Sequence, residues 1–300
     1  MERDIFIIMV FCLVSEELDI LRKSHSIRHG GLAPALSDEE VITMEIGGEY
    51  FKLATDKDLF GYFKTHYQDW FPKLSDRTTF VRQAANLWHI KALIQQQLTQ
   101  TANQKFADLQ VIDTLRLPVC QWVRGVRDRV FRGIADYGYC AAKDFYYYGF
   151  KLGLRVSRIG MITSACLLAA RAHDVNHTEE LIDGFGKTVL GDKGFIDQFR
   201  AELLKDRYGT QLVVPKRSNM QKTDDIVDKS ASKLFRKIRK VVETVGSHLT
   251  ERFQITKIRV HDLWHFQHRL IRKILAHTVM VFLNLQLNRK PLDLDGLIAF

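Results

Sequence analysis

Apolar residues recur every three or four positions through the first hundred residues, and beyond that they gather into short continuous or alternating runs. Ser37-Asp-Glu-Glu40 predicts a capping box opening a helix through Val41, Met44 and Ile46. Ser75-Asp-Arg-Thr-Thr predicts the start of another, continuing through Phe80, Val81, Ala84, Leu87, Trp88 and Leu93. The aromatic-rich stretch between them, from Phe60 to Pro72, reads as a linker. Two capped helices around such a linker suit a helix-turn-helix DNA reader, and a plain helical bundle would look much the same. Ile5 to Val14 is an apolar run too short to span a bilayer, and the residues before it carry no net positive charge. A buried first helix is expected there.

Gln95 to Gln104 is polar and marks a boundary, after which the pattern turns to strands. These are expected at Leu109–Asp113, Tyr146–Val156 and Met161–Ala170. A short helix follows around Glu179 to Gly184. A strand ending at Asp192, a helix from Ile196 to Tyr208 and the strand Gln211–Pro215 come next. A long helix with the stripe Leu234, Ile238, Val241/Val242, Val245 and Leu249 completes the order. Strands first, then alternating helices and strands, predict an α/β fold with a mixed sheet flanked by helices, which is the element order of a ribonuclease H-like domain. The expected division is a helical DNA-binding region over 1–105, a catalytic domain over 106–285 and a tail over 286–300.

Charge sharpens this picture. The net charge is +9, and between Lys229 and Lys273 twelve Lys or Arg face three acids, Glu243, Glu251 and Asp262. Such clustering is the footprint of a polyanion partner, or else a solvated helical surface. The four cysteines form no Cys-x-x-Cys pair, which is unlike a zinc or disulfide framework and fits a reducing cytoplasm. No Walker loop, dinucleotide fingerprint or Gly-x-Ser-x-Gly elbow is present.

Three carboxylates carry the candidate chemistry. Leu109-Gln-Val-Ile-Asp113 and Thr188-Val-Leu-Gly-Asp192 each read as a short buried strand ending in an acid. As neighbours in a parallel sheet their ends would lie about 4.8 Å apart. Carboxylates that close repel unless a cation lies between them, and hard oxygen donors suit Mg²⁺ or Mn²⁺. Glu243 reads in isolation as an ion-pair partner of Arg239 and Lys240; its place one strand and one helix beyond Asp192 makes it the third ligand instead. An Asp-Asp-Glu set around two ions is a phosphoryl-transfer site. His173-Asp174-Val-Asn-His177 is read as a structural turn and helix cap. His261, His265 and His268 are read as packing or surface residues. Arg116, Arg124, Arg127, Arg129 and Arg132 are candidates to line a DNA groove beside the ions.

The stretches Val111-Ile-Asp-Thr-Leu-Arg-Leu-Pro-Val-Cys120, Ala135-Asp-Tyr-Gly-Tyr-Cys-Ala-Ala-Lys143, Tyr148-Gly-Phe-Lys-Leu152, Leu190-Gly-Asp-Lys-Gly-Phe195, Pro215-Lys-Arg-Ser-Asn-Met220, Val242-Glu-Thr-Val245 and Ile271-Arg-Lys-Ile-Leu-Ala-His-Thr278 together resemble the DDE transposases of bacterial insertion sequences. The likeness falls in the insertion sequence four and five superfamily and is nearest to the insertion sequence nine-eight-two group. It implies Asp113, Asp192 and Glu243 as the catalytic, metal-binding triad, with two Mg²⁺ or Mn²⁺ ions. It further implies double-stranded DNA as partner, a homo-oligomer on that DNA and a cytoplasmic, nucleoid-associated location. Lys193, Lys216, Arg217, Arg236, Arg239 and Lys240 are the candidate DNA contacts. The superfamily's Tyr-x₂-Arg-x₃-Glu-x₆-Lys signature is met at Arg239 and Glu243, while Arg236 and Thr250 stand where Tyr and Lys are usual. Rival expectations are a non-catalytic DNA-binding descendant and a nuclease without strand transfer.

Overall fold

The Ser37 capping box forms as its sequence requires, the hydroxyl accepting from Glu40 N at 3.1 Å and Glu40 accepting from Ser37 N at 2.6 Å. This detail comes from a computed structural model describing residues 1–27, 30, 33–103, 108–140, 144–182, 187–214 and 229–298, without the side chains of 193 and 229–235. The first segment holds α1 (Arg3–Ser24), α2 (Asp38–Tyr50), α3 (Asp56–His66), α4 (Arg77–Asn86) and α5 (Trp88–Asn103). Next come β1 (Leu109–Gln121), α6 (Trp122–Gly125), β2 (Asp136–Cys140), β3 (Phe145–Ser157), β4 (Ile162–Ala169) and α7 (Thr178–Ile182). Then follow β5 (Thr188–Leu190), α8 (Gln198–Tyr208), β6 (Gln211–Val213), α9 (Lys229–Ser247) and α10 (Leu263–Gln286).

The chain packs as two compact units, one from Met1–Thr101 with His248–Phe300, the other from Ala102–Ser247. Packing and the functional spans expected from the sequence are thus drawn differently, because the chain returns to the helical unit at His248.

In the helical unit, α2 packs against α1, α4 and α10. Of the aromatic stretch expected as a linker, Phe60 to His66 belong to the helix α3, capped by Thr55, whose hydroxyl accepts from Asp58 N at 3.1 Å, and Tyr67 to Pro72 form turns. The second expected helix starts one residue later than its Ser75 signal, with Asp76 as the cap, and breaks at Leu87 into α4 and α5. The first helix buries one face through Phe6, Val10, Val14, Leu18 and Leu21, while Ile5, Ile8 and Phe11 are exposed. Among the described residues, no helix is long and apolar enough to cross a membrane.

Much of the basic excess is internal to this unit. Lys91, fully buried, donates to Glu45 at 2.6 Å, to the Ala84 carbonyl at 2.9 Å and shares a 2.9 Å contact with His268 Nδ1. Arg272 donates to Glu49 at 2.6 Å and Asp56 at 2.9 Å, and Lys273 to Glu49 at 2.8 Å. Burial pulls both members of the first pair toward neutrality, raising Glu45 and lowering Lys91 to about 8. His277 is buried beside His248, ring centroids 5.7 Å apart, with neither ring nitrogen hydrogen-bonded. Burial, then the neighbouring His248, lowers it to about 3. A histidine lowered in the fold contributes stability that is present above its ordinary range and lost as pH falls. Melting temperature should therefore drop from pH 6.5 toward 3, steepening by at most about 1.4 kcal/mol per pH unit from this residue. His277→Leu should flatten that slope in a pH series of thermal melts; an unchanged slope would remove His277 from the account.

The other unit is built on a mixed six-stranded sheet in the order β2-β3-β1-β5-β6, with β4 also on β3. Strands β1, β2 and β4 run antiparallel to β3, whereas β5 and β6 run parallel to β1. The strand expected to stop at Asp113 continues to Gln121, pairing with β3 from Gln110↔Ser157 to Gln121↔Tyr147. Pro118 lacks an N–H, and the ladder slips there into a bulge. Gly149 lies opposite, where a side chain would run into the Leu117 carbonyl. Strand β2 has no apolar run to announce it: Tyr137 and Tyr139 are exposed and alternate with Gly138. On the β5 side, Ile112, Leu181, Ile182, Val189, Phe195 and Leu204 form a core against which Cys166 and Val214 pack.

Candidate active site

Parallel pairing of β1 with β5 aligns Leu109 with Thr188, Gln110 with Val189 and Val111 with Leu190. Asp113 and Asp192 each sit two residues beyond the last of these rungs, so the two carboxylates leave the sheet at the same level. The ladder ends there because Gly191 N turns to the Val213 carbonyl at 3.0 Å and Phe195 N closes a turn on the Asp192 carbonyl at 2.9 Å. Gly191 is closely packed against Phe195, Val214 and Ile112, which leaves little room for a side chain. Asp113 accepts from Thr114 N at 2.8 Å. Burial, helped by the charge of Asp192, raises its pKa to about 6 against the lowering effect of that bond.

Helix α9 packs against β1 and brings the third acid. Its apolar stripe buries Ile238, Val242, Val245 and, beyond the helix, Leu249, leaving Arg236, Arg239, Lys240 and Glu243 exposed on the other side. After Gly246 the helix widens into a π turn over His248–Arg252. The Arg239–Glu243 ion pair read from the spacing is present, Nε to Oε1 at 3.1 Å. The same guanidinium also faces Asp192, Nη1 and Nη2 each 3.4 Å from one carboxylate oxygen. Asp192 and Glu243 are therefore one guanidinium apart, joined by a cation. Val111, Asp113, Leu190, Asp192, Arg239 and Val242 line a small cavity of about 20 Å³ here. Among the described residues, no three His, Cys, Asp or Glu side chains converge as a ready set of ligands.

The donor chemistry fits a divalent ion. Two carboxylates share a level, a third lies one guanidinium away, and the bridging cation is half-exposed. Ion pairs of that kind contribute about 0–1 kcal/mol, so little would be lost if a harder cation took its place.

A fourth acid stands beside this cleft. Asp174 accepts from Thr114 Oγ1 at 3.1 Å and from Lys151 Nζ at 3.0 Å, and a side chain at Gly194 would meet its Oδ2. The turn it opens is a 3₁₀ helix whose flanking His173 makes no side-chain cap bond, so Asp174 ties β1 to β3 and does not cap. His177 is buried with Nδ1 3.1 Å from Cys166 Sγ. The His-Asp turn is visible in the sequence; its reach back to Thr114 is not, because that depends on the sheet register.

Of the other sequence candidates, Arg124, Arg127, Arg129 and Arg132 are exposed on the segment after β1, which turns back so that Phe131 packs on Phe150, opposite Leu117 of β1. Lys216 and Arg217 lie outside the described residues, as does the side chain of Lys193.

Acidic side chains just beyond the last rung of a parallel strand pair, with another on a flanking helix, make this an α/β protein with a carboxylate site. A family model described as "Transposase DDE domain" matches residues 103–263, more than half of the chain, and the chain belongs to that family: it is a DDE transposase. No curated protein and no solved structure matches it.

Proposed function

We propose that this transposase cuts DNA at the ends of an insertion sequence and joins the freed 3′ ends to a target, with Asp113, Asp192 and Glu243 holding two Mg²⁺ or Mn²⁺ ions. The observation that carries the reading is the level register of Asp113 and Asp192 on neighbouring parallel strands, with Asp192 felt electrostatically at Asp113. When bound, such ions activate the attacking oxygen and stabilise the leaving one in an in-line displacement. The chain's own contribution is to fix the carboxylates: Thr114 N orients Asp113, and Arg239 holds Asp192 and Glu243 facing each other.

A ribonuclease H-like assignment is part of this proposal. It is supported by three antiparallel strands, β1, β3 and β4, followed by β5 and β6 parallel to β1. Membership of the insertion sequence nine-eight-two group, the DNA-binding role of the helical region, a homo-oligomer on double-stranded DNA and a cytoplasmic, nucleoid-associated setting belong to the same reading. Arg236 and Lys240, exposed on α9, are its remaining described phosphate contacts on that helix.

The test uses the full chain and a duplex carrying the inverted repeats found beside its gene. Nicked and joined products should form with Mg²⁺ or Mn²⁺ and vanish on chelation. Binding without cutting in either metal would establish the non-catalytic DNA-binding descendant, and cutting without joined products the nuclease.

A further inference from the structure

The helical unit contains a cavity of about 260 Å³, walled by the end of α2, the 52–55 turn, the 252–259 segment and one face of α10. Seven Lys or Arg side chains line it against a single acid, Glu49. They fall into two sets. Arg252, Arg269, Arg272 and Lys273 are internally balanced: Arg252 pairs with Asp295, Arg269 with Asp56, Arg272 with Glu49 and Asp56, and Lys273 with Glu49. Glu45, the partner of Lys91, lies within 3.5 Å of Arg272 as well, so each of these four cations has a carboxylate partner. Lys52, Lys257 and Arg259 are exposed and pair with no carboxylate among the described residues.

The rim is also held in place. Lys52 sits in the left-handed region at φ 59°, with its N–H bonded to the Glu49 carbonyl at 3.2 Å. Gln254, at φ 48°, starts the 3₁₀ turn that delivers Lys257. The Arg259 carbonyl accepts from Arg269 at 2.7 Å, which fixes that strand of chain to α10. Non-glycine residues rarely adopt such backbone angles, and they persist where the surroundings enforce them. Three cations are thus carried on fixed turns around a hollow whose floor cations are already ion-paired.

We propose that this cavity is a phosphate-binding clamp for the backbone of duplex DNA, with Lys52, Lys257 and Arg259 as its contacts. The inference rests on the proposed function for its choice of polyanion. Lys and Arg contacts to phosphates position a protein on DNA without reading bases, and each neutralised phosphate releases counterions. The site is assembled from residues before and after the catalytic unit, and it uses no residue of the basic helix α9.

The experiment measures binding of the full chain to a short fluorescent duplex of arbitrary sequence across a salt series, without divalent metal. A combined Lys52→Ala, Lys257→Ala, Arg259→Ala protein is compared with wild type. A second triple variant, Lys23→Ala, Lys73→Ala, Lys290→Ala, removes the same charge from exposed positions elsewhere in the unit. The clamp variant should lower the log–log salt slope by about 2–3, so that wild type loses about 40-fold more affinity than the variant between about 50 and 200 mM salt. The comparison variant should leave the slope within about 1 of wild type. Equal changes for both triples would overturn the clamp while leaving a DNA-binding transposase intact. If wild type binds no duplex at all, the proposed function fails and the clamp with it. Thermal melts of both variants show that the helical unit is folded in each.

Discussion

Asp113→Asn and Asp192→Asn should each nick a terminal-repeat duplex about a thousandfold or more slowly than wild type, the order expected when metal activation of the nucleophile is lost. Both should still bind DNA. Affinity comes from Lys and Arg contacts to phosphates, and removing a negative charge from a DNA-facing cleft reduces repulsion. The Asp113→Asn change would not unfold the sheet: the amide carbonyl can accept the Thr114 N–H that Asp113 accepts at 2.8 Å. Burial already raises Asp113 to about 6, so the fold disfavours its charged form at neutral pH and a neutral isostere is well tolerated. An unchanged or slightly higher melting temperature, beside lost nicking, therefore separates chemistry from folding. Glu243→Gln should follow the same pattern. If Asp113→Asn nicks at the wild-type rate, the carboxylates at these strand ends are not the reaction centre.

The largest effect on stability is expected at Lys91. Lys91→Met keeps the length of the side chain, but it leaves Glu45 buried with only longer contacts, Arg272 at 3.5 Å and His268 at 3.4 Å, and it strips the Ala84 carbonyl and His268 Nδ1 of their donor. Breaking a buried pair from one side costs about 3–5 kcal/mol. Because Arg272 still compensates part of the charge, the lower end of that range applies. Replacing both partners, Lys91→Met with Glu45→Met, should recover most of the loss, since well-packed apolar pairs often match a buried ion pair. Chemical denaturation of the three proteins checks this. A single variant as stable as wild type would mean that the pair is not desolvated in solution.

The two prospects differ in how far the sequence reveals their basis. Asp113 and Asp192 were legible because a short β-branched run that stops at an acid has few readings, and parallel pairing follows from the alternation of strands and helices. Glu243 was less so. Its helical neighbours supply an ion pair, and that ion pair exists; only the third dimension adds Arg239's reach to Asp192. Lys91, Glu45 and His268 were not legible at all. Periodicity assigns charged positions to a wet face, and a polar cluster shared by α2, α5 and α10 forms only after those helices meet. The same rule counted Arg272 and Lys273 in the basic segment read as a polyanion footprint or a solvated surface, whereas they spend their charge on Glu49 and Asp56. Aromatic density hid α3, because Phe60, Tyr62 and Phe63 fit a helix as well as a packed loop. Pro118 hid the second half of β1, since a proline inside a run argues against a strand unless a bulge receives it.

The division after Thr101 and before His248 has a consequence for how the molecule is made. The sheet-bearing unit is one unbroken stretch of chain, so it can form as soon as it leaves the ribosome, in keeping with domains folding as units during synthesis. The helical unit cannot. Its α2 waits with Glu49 unmatched, and the Glu45–Lys91 pair waits for the rest of its cluster, until α10, translated more than a hundred and fifty residues later, brings Arg272, Lys273 and His268. During that interval the nascent chain holds a sheet-bearing unit able to fold, carrying Asp113, Asp192 and Glu243, together with an unfinished helical bundle. The cation-rimmed hollow forms only once α10 has been made, so under the proposed clamp any grip on a polyanion begins after the sheet-bearing unit is able to fold.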